Sequence, residues 1–377
     1  MPLLTDRMHD MQRREKLAAA LRDENASSVR TVGDRSHSAT TLASRFSFDL
    51  ERIEAELRAS IIGQEEPIEQ VMEILKVVRA DIGDPRKPLA SVLFCGPTGV
   101  GKTETVRTIA RALYGDADAY CRIDMNTLSQ EHYSAAITGA PPGYVGSKEG
   151  TTILDQEKIE GTRNLPGLVL FDELEKASNE VILALMNVFD NGLLVVASGE
   201  RTYSFRNSLI FMSSNLGARE LMALDDRVPG FRAFWSRITQ REKSHRERAN
   251  DIVMNALLDR FPPELVNRID HIDTFNWIGF DKIPELVDVE MERLNRRLKK
   301  HDLWLEISPE VRDFIALKGY DKRFGARGLR RAMRRHLEFP LAGYLLGDHG
   351  DFSPPDGSVI VKIKADCQND TVSFGQR

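Results

Sequence analysis

The chain has 377 residues, 41% of them hydrophobic and 29% charged, with a formal net charge of −5 at pH 7. That length predicts two or three domains with ample core, and that composition excludes a disordered or fibrous chain. The negative balance argues against nucleic acid as the main partner. No apolar run reaches membrane-spanning length, and the scattered Cys95, Cys121 and Cys367 make neither a metal spacing nor a disulfide framework. With no signal peptide at the start, a cytoplasmic location is expected.

In chain order, residues 1–46 read as a leader. Met8 to Asp23 has a helical pattern, and Asn25 to Thr41 is Ser/Thr/Arg-rich without periodicity, the composition of a linker. From Phe48 the pattern turns helical through Leu50, Ile53 and Leu57. Ile61 and Ile62 follow, and an amphipathic segment runs from Pro67 to Ile82 before Asp84-Pro85 stops it. Ala90 to Cys95 is an apolar run of strand length. Directly after it stands Gly96-Pro97-Thr98-Gly99-Val100-Gly101-Lys102-Thr103, the G-x-x-x-x-G-K-T pattern known as Walker A, and Lys102 to Tyr114 reads as a helix ended by Gly115. Glycines let backbone N–H groups converge on phosphate oxygens, and the helix N-terminus faces the same anion. Lys102 is expected to neutralise the β/γ phosphates and Thr103 to ligate Mg²⁺, so ATP and Mg are the expected cofactors.

Tyr120 to Asp124 reads as a second strand. The segment Gly139-Ala140-Pro141-Pro142-Gly143-Tyr144-Val145-Gly146 suits neither helix nor strand and carries Tyr144 and Val145 at the tip of a loop. Gly167 to Phe171 is a buried-strand run that ends in Asp172 and Glu173, the Walker B pattern. Asp172 is expected to hold Mg²⁺ through water and Glu173 to activate the attacking water, at the strand end where α/β sheets bind ligands. Ser178 is placed to cap a helix from Val181 to Phe189. Ser208 to Met212 is another strand, ending in Ser213-Ser214-Asn215. Residues 217–259 read as less regular, with Arg237 to Arg248 a mixed-charge, solvated helix face. A short strand follows at Ile272 to Phe275. Past Trp277 the alternation stops. Asp281 is expected to cap a helix carrying Ile283, Leu286, Val287, Met291, Leu294 and Leu298. Leu303, Leu305 and Ile307 alternate as a strand, and Ser308-Pro309 opens a helix closed by Gly319. A basic helix begins at Gly325-Ala326-Arg327, and Ser358 to Ile363 is expected to pair with Thr371 to Phe374 as a hairpin. The expected organisation is a leader (1–46), a large α/β domain with a parallel sheet (47–276) and a smaller, mostly helical α+β domain (277–377).

Five segments occur in order: Gly-Ala-Pro-Pro-Gly-Tyr-Val-Gly at 139–146, Phe-Asp-Glu-Leu-Glu-Lys-Ala at 171–177, Ser-Ser-Asn-Leu-Gly at 213–217, Pro-Glu-Leu-Val-Asn-Arg-Ile-Asp at 263–270 and Phe-Gly-Ala-Arg at 324–327. With Walker A and B, the chain from about residue 47 onward resembles Clp-type AAA+ ATPases, in particular the second ATPase ring of the ClpA and ClpB unfoldases. The resemblance implies a large P-loop domain and a small lid, ATP hydrolysis, a homohexamer and protein substrates. It implies that Asn215 is sensor 1, Arg268 the arginine finger acting on a neighbouring subunit, and Arg327 sensor 2. Tyr144 and Val145 would be the pore loop, with Ile61 and Ile62 flanking the adenine. The bland alternative for Arg268 is a surface ion pair with Asp270. Ile278-Gly279-Phe280 has the letters of a peptidase-docking tripeptide but lies after Arg268 and reads as structural. Pro229-Gly230-Phe231 lies in the right interval and is the weak candidate for a peptidase partner. The implied function is ATP-driven unfolding or remodelling of protein. The competing class is an assembly or loading switch in which nucleotide state controls partner binding and nothing is threaded.

Overall fold

The computed structural model describes residues 44–127, 154–195, 202–226, 241–320, 325–347, 360–368 and 370–376. Residues 1–43 of the leader, Tyr144 and Val145 with their loop, Pro229-Gly230-Phe231 and Phe324 lie outside the described residues.

Strands β1 (Ala90–Cys95), β2 (Cys121–Asp124), β3 (Gly167–Asp172), β6 (Ser208–Ser214) and β7 (His271–Thr274) form one sheet, with a small hairpin of β4 (Leu193–Val195) and β5 (Thr202–Ser204) outside it. The sheet order is β2-β3-β6-β1-β7 and every pairing is parallel. β1, β3 and β6 are buried along their whole length, which is why they read as continuous apolar runs rather than alternating ones. On one face Leu93, Phe171 and Ile210 pack with Val181 and Leu185 of the helix Asn179–Asn191. On the other, Val92, Phe94, Leu170 and Phe211 pack with the helices Leu50–Ser60, Glu65–Ala80 and Lys102–Tyr114, and this core already includes Phe46 and Phe48. Cys95 and Cys121 are buried thiols, and burial pushes Cys95 up to about 12.

Several elements differ from expectation for local reasons. The helix Glu65–Ala80 stops short of Ile82 because Asp81 takes a left-handed conformation (φ 54°). Residues 218–226 and 241–260 are more regular than they read, forming a helix at Ala218–Asp226 and a 20-residue helix at Arg241–Arg260. Ala249, Val253 and Leu257 form its buried stripe at a spacing of four, hidden in the sequence among charged residues. Asp281 is not a helix cap. It lies in a 3₁₀ turn, Phe280–Lys282, and the helix Ile283–Leu298 starts after it with proline in its first turn.

In the C-terminal part, Ser308 caps the helix Pro309–Gly319 as its spacing predicts. Gly319 stays inside that helix, where a Cβ would meet Leu329, and Tyr320 ends it instead. Strands β8 (Leu303–Ile307), β9 (Val361–Gln368) and β10 (Thr371–Gln376) form a second sheet. The expected hairpin is present as β9–β10, but β9 runs on past Ile363 and also pairs in parallel with β8. Of the tripeptide, Ile278 is buried in the core of this part with Leu286, Phe314 and Leu329, whereas Phe280 is exposed. Ile62 packs against the same core and so bridges the two sheet systems. Among the described residues no helix is long and apolar enough to cross a membrane.

Candidate nucleotide site

Parallel strands bring their C-terminal ends to one edge of the sheet, and three central neighbours deliver the site. β1 runs into the glycine-rich turn. Gly96 sits at φ +132°, and a Cβ there would stand 2.2 Å from the Phe275 carbonyl oxygen, so only glycine lets the chain leave β1 beside the end of β7. The helix Lys102–Tyr114 has Gly101 at its N-cap and no side-chain cap, which leaves its first N–H groups for an anion. Lys102 is 7% exposed. Its ammonium donates to the carbonyl oxygens of Gly96 (2.5 Å) and Pro97 (2.8 Å) and to Oδ1 of Asn215 (3.0 Å). Burial lowers its pKa to about 8, with Glu175 and Asp172 among the charges that oppose the shift.

β3 ends in Asp172. Its Oδ1 accepts from the Ser213 hydroxyl, and its Oδ2 accepts from Nε (3.1 Å) and Nη2 (2.6 Å) of Arg122 on β2. Glu173 follows at φ 57°, a left-handed conformation rare for a side-chain-bearing residue, and its N–H donates to Ser213 Oγ at 3.1 Å. Ser213 therefore ties the two adjacent acids to β6. Asn215, just past β6, donates through Nδ2 (3.2 Å) and its own N–H (3.3 Å) to Glu175 Oε1, while its Oδ1 receives Lys102. Arg260 donates to the Glu175 and Ala177 carbonyls (3.0 and 3.1 Å) and anchors the turn that carries Glu175.

Lys102, Arg122, Asp172, Glu173, Ser213 and Asn215 line a cavity of about 290 Å³. Its apolar end is formed by Ile61, Ile62, Ile278 and Leu286, and Gly99 to Glu104, Asp172, Glu173 and Asn215 line the polar part. The C-terminal part closes the cavity with Ala326, Arg327 and Arg330. The Ala326 N–H donates to the Gly99 carbonyl at 3.0 Å, a direct bond between lid and phosphate turn. Arg293 spans the same gap, donating to Glu104 (2.5 Å) and Glu290 (2.8 Å), and Arg330 also binds Glu290 (2.9 Å). Arg268 is not among the lining residues. Its guanidinium holds both oxygens of Asp190 at 2.8 Å and the Glu264 carbonyl at 2.9 Å. The ion pair of the bland alternative forms with Asp190 rather than Asp270, whose carboxylate accepts instead from the Ser91 N–H and hydroxyl, both at 2.7 Å.

Sequence reasoning missed Arg122, Glu175, Glu104 and Arg293, and assigned Ser213 no role. Only Arg122 carried a usable signal: Arg122 and Asp124 share the uncovered face of the edge strand β2, with Cys121 and Ile123 on the buried one. The donor set fits a magnesium nucleotide. Among the described residues no group of three or more His, Cys, Asp or Glu could cage a metal. One hydroxyl and one carboxylate beside an anion cradle suit an ion that keeps its waters and borrows phosphate oxygens.

Residues 87–272 match the AAA domain (Cdc48 subfamily), and residues 279–361 match the C-terminal, D2-small domain of ClpB protein. The chain is 52% identical over its full length to the whole of an ATP-dependent protease ATP-binding subunit-like protein AmiB from Pseudomonas aeruginosa. It is 39% identical over 310 residues to the chaperone protein ClpB of Rhizobium meliloti, covering 82% of this chain but only 33% of that one. Among solved structures it superposes on an Hsp104–casein complex of S. cerevisiae in its extended conformation with a TM-score of 0.70 at 27% identity, over 86% of this chain and 52% of that chain.

Proposed function

The chain belongs to the Clp-type AAA+ ATPases, and from that premise we propose that it unfolds or remodels protein as a homohexamer that threads polypeptide along its axis. The observation that carries the reading is the convergence of Lys102, Asp172, Glu173, Asn215 and Arg327 on one cavity closed by a separate C-terminal lid. A bound magnesium–ATP supplies the γ-phosphoryl group and the divalent charge. Lys102 would exchange its contacts with Asn215 and the turn carbonyls for phosphate oxygens, and Thr103 and Asp172 would hold the metal, Asp172 through water. Glu173 takes the proton of the attacking water, and Asn215, aimed by Glu175, orients that water or the phosphate. Arg327 reports the nucleotide to the lid. Arg268 serves the neighbouring subunit, a role supported by its position off its own cavity on a partly exposed surface. A supplied arginine is worth about 10³–10⁵ in rate, which would make hydrolysis depend on ring assembly.

Tyr144 and Val145 grip the substrate chain, in the cytoplasm. The relatives support this class: one solved neighbour holds casein, and ClpB is named a chaperone. The test compares two variants. Glu173→Gln is expected to bind ATP and hydrolyse it very slowly. Tyr144→Ala is expected to keep basal hydrolysis and hexamer mass while losing the unfolding of a tagged fluorescent protein. Normal unfolding by Tyr144→Ala would replace threading with the assembly-switch reading.

A further inference from the structure

Asp172, assigned above to the metal, is almost fully engaged by its own chain. An ionised carboxylate has about four acceptor positions. Ser213 takes one on Oδ1, and the two Arg122 nitrogens take both on Oδ2. The sheet register makes this reach possible. β2 and β3 pair in parallel with Arg122 opposite Leu170 and Asp124 opposite Asp172. Arg122 therefore starts two residues back on the face it shares with Asp124, and its long side chain runs forward to the strand end. The carboxylate side chain is 10% exposed, whereas the guanidinium side chain is 52% exposed. The acid is thus held by its neighbours, while its cation is half-exposed and lines the cavity. Asp124 lines the same cavity and offers a second carboxylate nearby.

A guanidinium bonded to this oxygen and a divalent ion served by the same carboxylate repel each other. We propose that Arg122 competes with the metal for Asp172: it holds the carboxylate aimed, and is exchanged toward Asp124 when the magnesium nucleotide enters. The exchange spares the protein a buried, unpaired carboxylate at any stage of the cycle. It also makes Arg122 a positioning residue that sets how strongly nucleotide binding depends on metal. The inference rests on Asp172 as the metal's carboxylate.

The experiment titrates the full chain with a fluorescent ADP, once in excess Mg²⁺ and once in EDTA, and reads the ratio of the two affinities. Arg122→Gln is expected to raise that ratio by about tenfold, the order Coulomb's law gives for removing one unit charge beside a divalent ion in a largely aqueous setting. Arg122→Lys keeps the charge but cannot place two donors on one oxygen, and should fall between. A ratio unchanged or lowered in both variants overturns the proposal. Asp172→Asn should lower the ratio, and adding Arg122→Gln to it should change nothing further. A rise that persists in the double variant would assign Arg122 to the phosphates and overturn the competition. If Asp172→Asn alone leaves the ratio unchanged, the metal assignment itself fails and takes the proposal with it, so the two failures are told apart.

Discussion

Gly325→Ala tests whether the lid must touch the phosphate turn. Gly325 sits at φ +50°, and a Cβ there would stand 2.8 Å from the Gly99 carbonyl oxygen, 3.1 Å from its carbon and 3.3 Å from the Thr98 oxygen. All three are backbone atoms of the turn, so no side chain can rotate away. Gly325 pairs φ +50° with ψ −138°, a region open essentially to glycine, and holding alanine there costs about 1–3 kcal/mol. Relieving the overlap moves the neighbouring Ala326 amide off Gly99, which forfeits a hydrogen bond worth about 0.5–1.5 kcal/mol. Together these come to about 1.5–4.5 kcal/mol against the docked lid, or roughly 10- to 2,000-fold. Because Arg327 and Arg330 enter the cavity from the same helix, the loss is expected in nucleotide affinity, read by titration with a fluorescent ADP. A thermal melt by circular dichroism accompanies it. The contact lies between the two cores rather than inside either, so the melt should shift by a few degrees at most. An affinity equal to the parent's, with an unchanged melt, would refute the claim that lid and turn act as one surface.

Ser213→Ala removes both the donor to Asp172 and the acceptor of the Glu173 N–H, and is expected to cut kcat about 10–100-fold with KM nearly unchanged, by steady-state ATPase assay. An equal loss in affinity would mean general distortion instead. Asp273 is 8% exposed with Oδ2 buried and unpaired, and burial, helped by Glu66, raises its carboxyl to about 7. The folded protein therefore holds a proton that the unfolded chain releases, so this group lowers stability as pH rises from the ordinary carboxylate range, and the penalty is complete above about pH 7. Asp273→Asn should raise Tm by an amount reflecting a few kcal/mol near pH 8 and by much less near pH 4, measured by thermal melts. The same gain at both pH values would show that the effect is packing and not ionisation.

What the sequence determined by itself is local. Gly96 to Thr103 specifies a phosphate turn because glycine spacing, a strand before and a helix after are all short-range requirements. Asp172, Glu173 and Asn215 stand out because each is a polar residue at the end of a buried apolar run, and such runs in alternation with helices imply a parallel sheet with its ligands at the strand ends. What only tertiary structure decided is which strand ends are neighbours. The order β2-β3-β6-β1 puts Arg122 on Asp172, Ser213 between Asp172 and Glu173, and Asn215 between Lys102 and Glu175. None of these pairs shares a helical or strand period, so no spacing in the chain could have announced them. The lid is the extreme case. Ala326 and Gly99 are joined through backbone atoms, which carry no residue identity, and sequence can register such a contact only through the adjacent Gly325, a glycine that nothing nearby in the chain requires.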